Sequence, residues 1–126
     1  MPITFSENSA TGWLETKATG LVTHDDIREH LKAEGESEAL GIPEVFDARE
    51  AWTNLSADEI RDLVYLTDSL QSRHPLGPTA IIAQSDLVYG MARMYEILLE
   101  GKGVPVGVFR TVREGEEWLA SRSQTI

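Results

Sequence analysis

A chain of 126 residues with 41% hydrophobic and 25% charged residues predicts one globular domain over residues 1–126. It contains no cysteine, which excludes disulfides, thiolate metal sites and cysteine nucleophiles. Its net charge is −10 and its bases form no cluster, so nucleic acid and anionic membranes are poor candidates for partners. We find no signal peptide and no apolar run near the ~18 residues of a membrane span, and therefore expect a cytoplasmic protein.

The acidic charge is concentrated in the first half of the chain. Residues 1–60 carry 13 acids and 4 bases, whereas residues 61–126 carry 8 acids and 7 bases. A well-solvated surface is one interpretation of this asymmetry, and an acidic face that docks a basic protein partner is the other.

Hydrophobic periodicity and turn signals predict five strands and four helices. Capping-box patterns mark three helix starts, at Thr23, Ser56 and Thr111. We predict strands at 3–6, 12–19, 43–48, 80–83 and 104–110. One helix follows each strand from the second onward, and these helices are predicted to end at 34–37, at 74–78, before Gly101 and at 119–122.

The order β-β-α-β-α-β-α-β-α contains three consecutive strand-helix-strand connections, which favour a mostly parallel sheet with right-handed crossovers. The opening hairpin, whose second strand is expected to end before Gly20, supplies an antiparallel edge. We therefore predict an α/β fold: a single mixed, mostly parallel five-stranded sheet with an N-terminal antiparallel hairpin strand, flanked by about four helices.

In such folds, ligands usually bind beyond the carboxyl ends of the parallel strands. The candidate ligand-binding residues near these ends are Asp47, Arg49, Trp52, Ser85, Tyr89 and Arg93. Tyr89 and Arg93 lie one turn apart near free helix amides, an arrangement that could hold a carboxylate or phosphate. A small anionic ligand is therefore predicted at this edge of the sheet.

Each of these residues also has a structural interpretation. Arg93 has acidic neighbours for a surface ion pair, namely Asp86, Glu96 and Glu100. Asp47 can pair with Arg49, Tyr89 can pack against the sheet edge, and Trp52 either covers the core or walls a pocket. Gly90 is expected to allow close approach of its helix to the sheet.

No recognised catalytic or metal-binding pattern is present. The three histidines, His24, His30 and His74, show no ligand-like spacing, and residues 24–26 fit an acidic first helical turn. Glycine-rich phosphate loops, GxSxG and HExxH are absent. We therefore predict no metal site, no cofactor and no catalytic residue.

Three segments carry a family resemblance: VFDAREAW at 45–52, SDLVYGMARMYE at 85–96 and VFRTVREGEEWL at 108–119. With this element order, the chain resembles SpoIIAA-like small bacterial domains of the STAS/SEC14 (CRAL-TRIO) type over nearly its whole length. The resemblance implies a mixed sheet with helices and a non-enzymatic regulatory or ligand-binding role.

In anti-sigma-factor antagonists of the STAS kind, a serine after the third strand is phosphorylated within an Asp-Ser-Ser-Gly-like motif. The resemblance places Ser56 at that position, as a candidate phosphorylation site. The sequence at 54–58 is Asn-Leu-Ser-Ala-Asp, which lacks the paired serines and the glycine, and helix capping also explains Ser56. Lipid transfer is not expected, because the chain lacks the extra helices that would close a large apolar cavity.

Two functional hypotheses follow. The first is a small cytosolic, non-enzymatic domain that binds a protein partner or a small anionic ligand, with a role in regulation. The alternative is a small enzyme with an anion-binding pocket around Asp47, Arg49, Tyr89 and Arg93. Homodimerisation through the Met91, Met94 and Tyr95 surface or an edge strand is a further option.

Overall fold

The computed structural model describes residues 2–37, 39 and 41–123, without the side chain of residue 123. Its elements are β1 Ile3–Glu7, β2 Leu14–Leu21, α1 His24–Glu36, β3 Glu44–Trp52, α2 Ala57–Arg73, β4 Thr79–Ile82, α3 Asp86–Glu100, β5 Val106–Phe109 and α4 Val112–Ser123. The strands form one sheet in chain order, with β1 antiparallel to β2 and all other pairs parallel. The predicted fold class is confirmed.

The spatial order of the strands determines where the helices lie. Each strand-helix-strand connection leads to the neighbouring strand on the same side, so the sheet grows in one direction. Because such connections are almost always right-handed, their helices lie on one face of the sheet. Helices α1, α2 and α3 accordingly pack side by side, and we call the side of the sheet beneath them the helix-covered face. Helix α4 follows the last strand and packs against β3, β4 and β5 on the opposite side, the α4 face.

The α4 face is closely packed by large side chains. Ile82 and Leu119 are completely buried there, and Trp118 and Phe109 pack around them. Gly115 allows this close approach, because a Cβ atom at its position would lie 2.5 Å from Ile82 Cδ1. The glycine predicted for this role was the wrong one, since a Cβ atom on Gly90 would meet nothing within 4 Å.

The helix-covered face is less completely filled. Helix α2 packs mainly on α1 and α3, and within the described residues it has no comparable contact with a strand. The sheet residues beneath the helices include the small side chains of Ala18, Ala48 and Ala51. These small side chains leave space between the sheet and the helices.

Two strands extend two or more residues beyond their predicted ends. Strand β2 passes through Gly20, whose φ is +70°, because Gly20 still pairs with Ala51 in the neighbouring strand. Strand β3 continues to Trp52 through a β-bulge, in which the register shifts so that Ala48 and Arg49 lie opposite Ala18 alone. A bulge interrupts the alternation of side chains, which is the signal from which the end of the strand was predicted.

Candidate functional site

Asp47 and Arg49 lie within β3 and not at its end, which corrects the predicted strand boundary. The Arg49 guanidinium donates to both Asp47 carboxylate oxygens at 2.9 Å, and the Arg49 backbone N–H donates to Asp47 Oδ1 at 3.1 Å. The pKa of Asp47 is lowered, chiefly by the hydrogen bond from the Arg49 side chain. Asp47 thus accepts a hydrogen bond from the backbone N–H of Arg49 at the bulge. The structural interpretation, an ion pair between Asp47 and Arg49, therefore explains both residues.

The predicted residues Ser85 and Tyr89 lie at the start of α3, where each has a structural partner. Ser85 caps the helix by accepting a hydrogen bond from the Val88 N–H at 3.2 Å. The cation beside Tyr89 is Arg110, whose guanidinium carbon lies 4.0 Å from the ring centre, and it also donates to Asp86 at 2.9 Å. The cationic group at this edge is therefore already paired.

Arg93, which was predicted to bind an anion, donates to Glu96 Oε1 at 2.7 Å on the exposed surface of α3. Tyr89 packs on the helix-covered face, whereas Asp47 and Arg49 lie with Val112 and Glu116 on the other side of the sheet. The fold does not bring the four residues of the enzyme hypothesis into one pocket.

Ser56 is the N-cap of α2, with both hydrogen bonds of a capping box to Glu59. Its hydroxyl accepts from the Glu59 N–H at 3.1 Å, and the Glu59 carboxylate accepts from the Ser56 N–H at 2.9 Å. This geometry gives Ser56 a structural role, and phosphorylation there stays a prediction.

The sixth predicted residue, Trp52, contributes to a cavity that sequence reasoning did not locate. The cavity lies between the helix-covered face and helices α1–α3 and has a volume of about 160 Å³. Its lining follows β3 from Glu44 at the start to Trp52 at the end. Because Trp52 is 53% exposed, the lining reaches the protein surface at that end of the strand.

Most of the cavity wall is apolar. The aliphatic and aromatic groups come from the sheet and from all three helices, and include Phe46, Ile81, Leu63, Ile27 and Met91. A mainly apolar cavity with few polar groups is typical of small-molecule sites in proteins.

Three polar lining residues beside the start of β3, His30, Glu34 and Glu44, form a buried cluster with Thr16 behind them. We call these four residues the His30 cluster. His30 Nε2 lies 2.9 Å from Glu34 Oε1 and 3.2 Å from Glu44 Oε2. The side chains of these three residues are 4%, 5% and 7% exposed. The Thr16 hydroxyl donates to Glu44 Oε2, which fixes that carboxylate from the side of β2.

The position of the imidazole is further fixed by two aromatic rings. Phe5 and Phe46 contact the His30 ring edge to face, with centroid separations of 5.4 and 5.5 Å. Packing on both sides holds Nε2 between the two carboxylates, so the cluster is preorganised and not a chance encounter of flexible side chains.

Burial and mutual attraction shift the protonation of this cluster. Burial by itself lowers the pKa of His30, but hydrogen bonds to Glu34 and Glu44 outweigh that effect and raise it to about 9. Burial raises the pKa of Glu34, against the opposing hydrogen bond from His30. At neutral pH, the cluster therefore holds an imidazolium beside two carboxyl groups that compete for its Nε2–H.

A second hydrogen-bonded pair, Thr67 and Tyr95, also lines the cavity. Thr67 donates its one hydroxyl proton to the Leu63 carbonyl at 2.7 Å, so the Tyr95 hydroxyl, 2.6 Å from Thr67 Oγ1, must be the donor to it. Burial raises the pKa of Tyr95 to about 12, which keeps the phenol neutral at physiological pH.

The sequence contained a signal for the His30 cluster that we overlooked. Ile27, His30, Leu31 and Glu34 follow the i, i+3, i+4, i+7 spacing of a single helical stripe, so two ionisable groups share the buried stripe of α1. The spacing among the three histidines gives no sign of the cluster, whereas the i, i+4 spacing of His30 and Glu34 does. Glu44 joins them only through the tertiary fold.

Within the described residues, no helix is both long and apolar enough to cross a membrane.

Comparisons with known proteins identify the fold. No protein-family model matches the sequence, and no curated protein matches it either. The crystal structure of an uncharacterised protein of the DUF3478 family from Shewanella loihica PV-4, which has a SpoIIAA-like fold, superimposes with a TM-score of 0.60. The two chains are 22% identical, and the match covers 93% of this chain and 91% of the other. The resemblance to SpoIIAA-like domains is thus confirmed at the level of structure: this chain has the SpoIIAA-like fold.

Proposed function

We propose that this protein is a small-molecule-binding domain, and that its ligand lies in the cavity between the sheet and helices α1–α3. The observation that carries the proposal is the combination of apolar walls with a preorganised polar cluster among the lining residues. The role is non-enzymatic and regulatory, as the sequence predicts, but the site differs from the predicted strand edge. The cytoplasmic location, the protein partner and the homodimer stay predictions.

The cavity volume limits the ligand to a compact molecule. Sites for drug-sized ligands usually measure about 300–1,000 Å³, whereas an engineered apolar cavity of about 150 Å³ in another protein binds benzene. A volume of about 160 Å³ therefore suits a single ring or a short branched chain.

The charge of the His30 cluster limits the polar group of that ligand. One imidazolium faces two carboxyl groups, so the cluster has an excess of hydrogen-bond acceptors and of negative charge as Glu34 ionises. The carboxylates of the cluster would therefore repel a ligand that carries an anionic group. We therefore expect the ligand to carry a hydroxyl, amide or amine, and not the anionic group predicted for the strand edge.

Three probes of nearly equal shape test the proposal: toluene, benzyl alcohol and benzoate. Each is titrated into chelator-treated, metal-free protein while the methyl NMR signals of Ile27, Ile81 and Leu63 are recorded. We expect these signals to move with toluene and move at lower concentration with benzyl alcohol, while benzoate has the weakest effect. Failure of all three probes at millimolar concentration, or preferred binding of benzoate, would contradict the proposal.

Matched variants assign any binding to the cavity. Ala92→Leu places three more carbon atoms in the lining of the cavity and should abolish the toluene shifts, whereas Ala57→Leu makes the same change at an exposed position and should not. Arg93→Ala removes the arginine that was predicted to bind an anion and should also leave the titration unchanged. If Arg93→Ala abolished binding and Ala92→Leu did not, the ligand would bind at the strand edge and not in the cavity.

A further inference from the structure

The three ionisable residues of the His30 cluster have the separations of metal ligands. One nitrogen and two carboxylate oxygens, one from each residue, all lie within 4.8 Å of one another. Ligands bound at about 2.0–2.2 Å to a tetrahedral or octahedral ion lie roughly 3.0–3.4 Å apart. The distances of 2.9 Å from His30 Nε2 to Glu34 and 3.2 Å to Glu44 are close to that range.

The count of protons and charges gives a second, independent reason to expect a cation. Without an ion, the single Nε2–H of His30 must serve two buried carboxylates, and the fully ionised cluster carries one excess negative charge. A divalent ion bound by a neutral imidazole and two carboxylates makes the buried cluster electrically neutral.

The surroundings of the cluster are those of a supported metal site. The Thr16 hydroxyl donates to Glu44, as hydrogen-bond donors in the second shell commonly do for carboxylate ligands. Phe5 and Phe46 orient the imidazole of His30. All three ionisable residues also line the cavity, so three protein ligands would leave coordination positions open toward it.

We propose that His30 Nε2 and one carboxylate oxygen each from Glu34 and Glu44 bind a single divalent transition-metal ion at the wall of the cavity. An imidazole in the ligand set favours zinc, iron or manganese over magnesium and calcium, and the absence of thiolates disfavours copper(I). The proposal does not rest on the small-molecule site, because the ion would bind whether or not an organic ligand enters.

Cobalt(II) is a suitable probe, because it substitutes for zinc and its visible absorption reports bound imidazole and carboxylate. Tag-free protein is treated with chelator, exchanged into buffer and titrated with Co²⁺. We expect saturation at one equivalent and broadening of the NMR signals of Phe5 and Phe46, while signals of Leu119 on the α4 face stay sharp. Broadening centred elsewhere, or no saturable binding below 1 mM Co²⁺, would overturn the proposal.

Conservative variants then identify the ligands. Glu34→Gln and Glu44→Gln retain shape and one hydrogen-bonding oxygen, and each should weaken Co²⁺ binding by at least about tenfold. Glu36→Gln is the matched control, since it removes an exposed carboxylate from the same helix and should bind like the wild type. Equal affinities for all four proteins would assign the ion to another place and contradict the proposal. Toluene binding without Co²⁺ binding would overturn the metal site while leaving the proposed function intact.

Discussion

The two faces of the sheet are packed in different ways, although the same five strands form both. On the α4 face, large side chains interlock around Ile82 and Leu119, and Gly115 lets the helix approach closely. On the helix-covered face, small alanines and five buried polar residues line a cavity. The first arrangement is what maximises stability, whereas the second gives up contacts that stability would favour. We therefore expect the α4 face to contribute most to stability, and the helix-covered face holds the cavity that we propose as the binding site.

The largest expected effect compares two adjacent residues of β4 that point to opposite faces. Ile82 is fully buried on the α4 face, and Ile81 is partly exposed and lines the cavity. Ile82→Ala should lower the free energy of unfolding by about 3–5 kcal/mol, through lost transfer energy and a new void. Ile81→Ala should cost about 2 kcal/mol or less, since it loses fewer contacts. Urea denaturation measures both, and equal costs would remove the distinction between the faces.

A pH series on metal-free protein tests the buried charge on the helix-covered face. The folded pKa of His30 is about 9 and its unfolded value is about 6.5, so the stability from its protonation is complete below pH 6.5 and lost as the pH rises through 9. The raised pKa of Glu34 also makes the folded state less stable as the pH rises, but over a lower pH range than that of His30. The shift of His30 alone corresponds to a loss of about 3 kcal/mol between pH 6 and 10, and Glu34 adds to this loss near pH 7.

Chemical denaturation in chelator at pH 6, 8 and 10 measures this loss. His30→Gln should have a flatter pH profile than the wild type, because glutamine does not titrate. His74→Gln, which changes an exposed histidine, should keep the wild-type profile. A wild-type profile in His30→Gln would mean that the cluster does not hold the buried charge that the structure indicates.

The smallest expected effect is the change in the free energy of unfolding when either of two helical glycines is replaced by alanine. The sign of this change should differ between the two faces. Gly90→Ala on α3 meets no atom within 4 Å and should raise the free energy of unfolding by up to about 1 kcal/mol, the difference in helix propensity. Gly115→Ala on α4 places a Cβ atom against Ile82 Cδ1 and Ala80 Cβ, so overpacking should outweigh the propensity gain by about 1 kcal/mol. Two changes of the same sign would show that the faces do not differ in how tightly the helices approach.

The fold could be predicted from the sequence because its signals are local. Capping boxes at Thr23 and Ser56 and the abrupt change from strand to helix at Ser85 each lie within a few residues. The strand-helix alternation then leaves few topologies. The bulge at Ala48 and Arg49 is not a local signal, which is why the extent of β3 was predicted too short.

The candidate site could not be predicted in the same way. Glu44 reaches His30 only because β3 lies beside β2 and beneath α1, and Thr16 belongs to a third element. The cavity is lined by residues from the sheet and from three helices, and their packing follows from no local residue pattern. At the predicted strand edge, the cation near Tyr89 is Arg110 from the next strand-helix junction, and Arg93 on the same helix is paired with Glu96.

The central claim is that the space beneath α1–α3 is an accessible binding cavity, and xenon tests it most directly. Crystals pressurised with xenon report any apolar cavity large enough for one atom as a strong density peak. The account predicts a peak beside Phe46, Ile81 and Met91, which is absent from crystals of Ala92→Leu. Density only on the α4 face, or no internal density in well-ordered crystals, would contradict it.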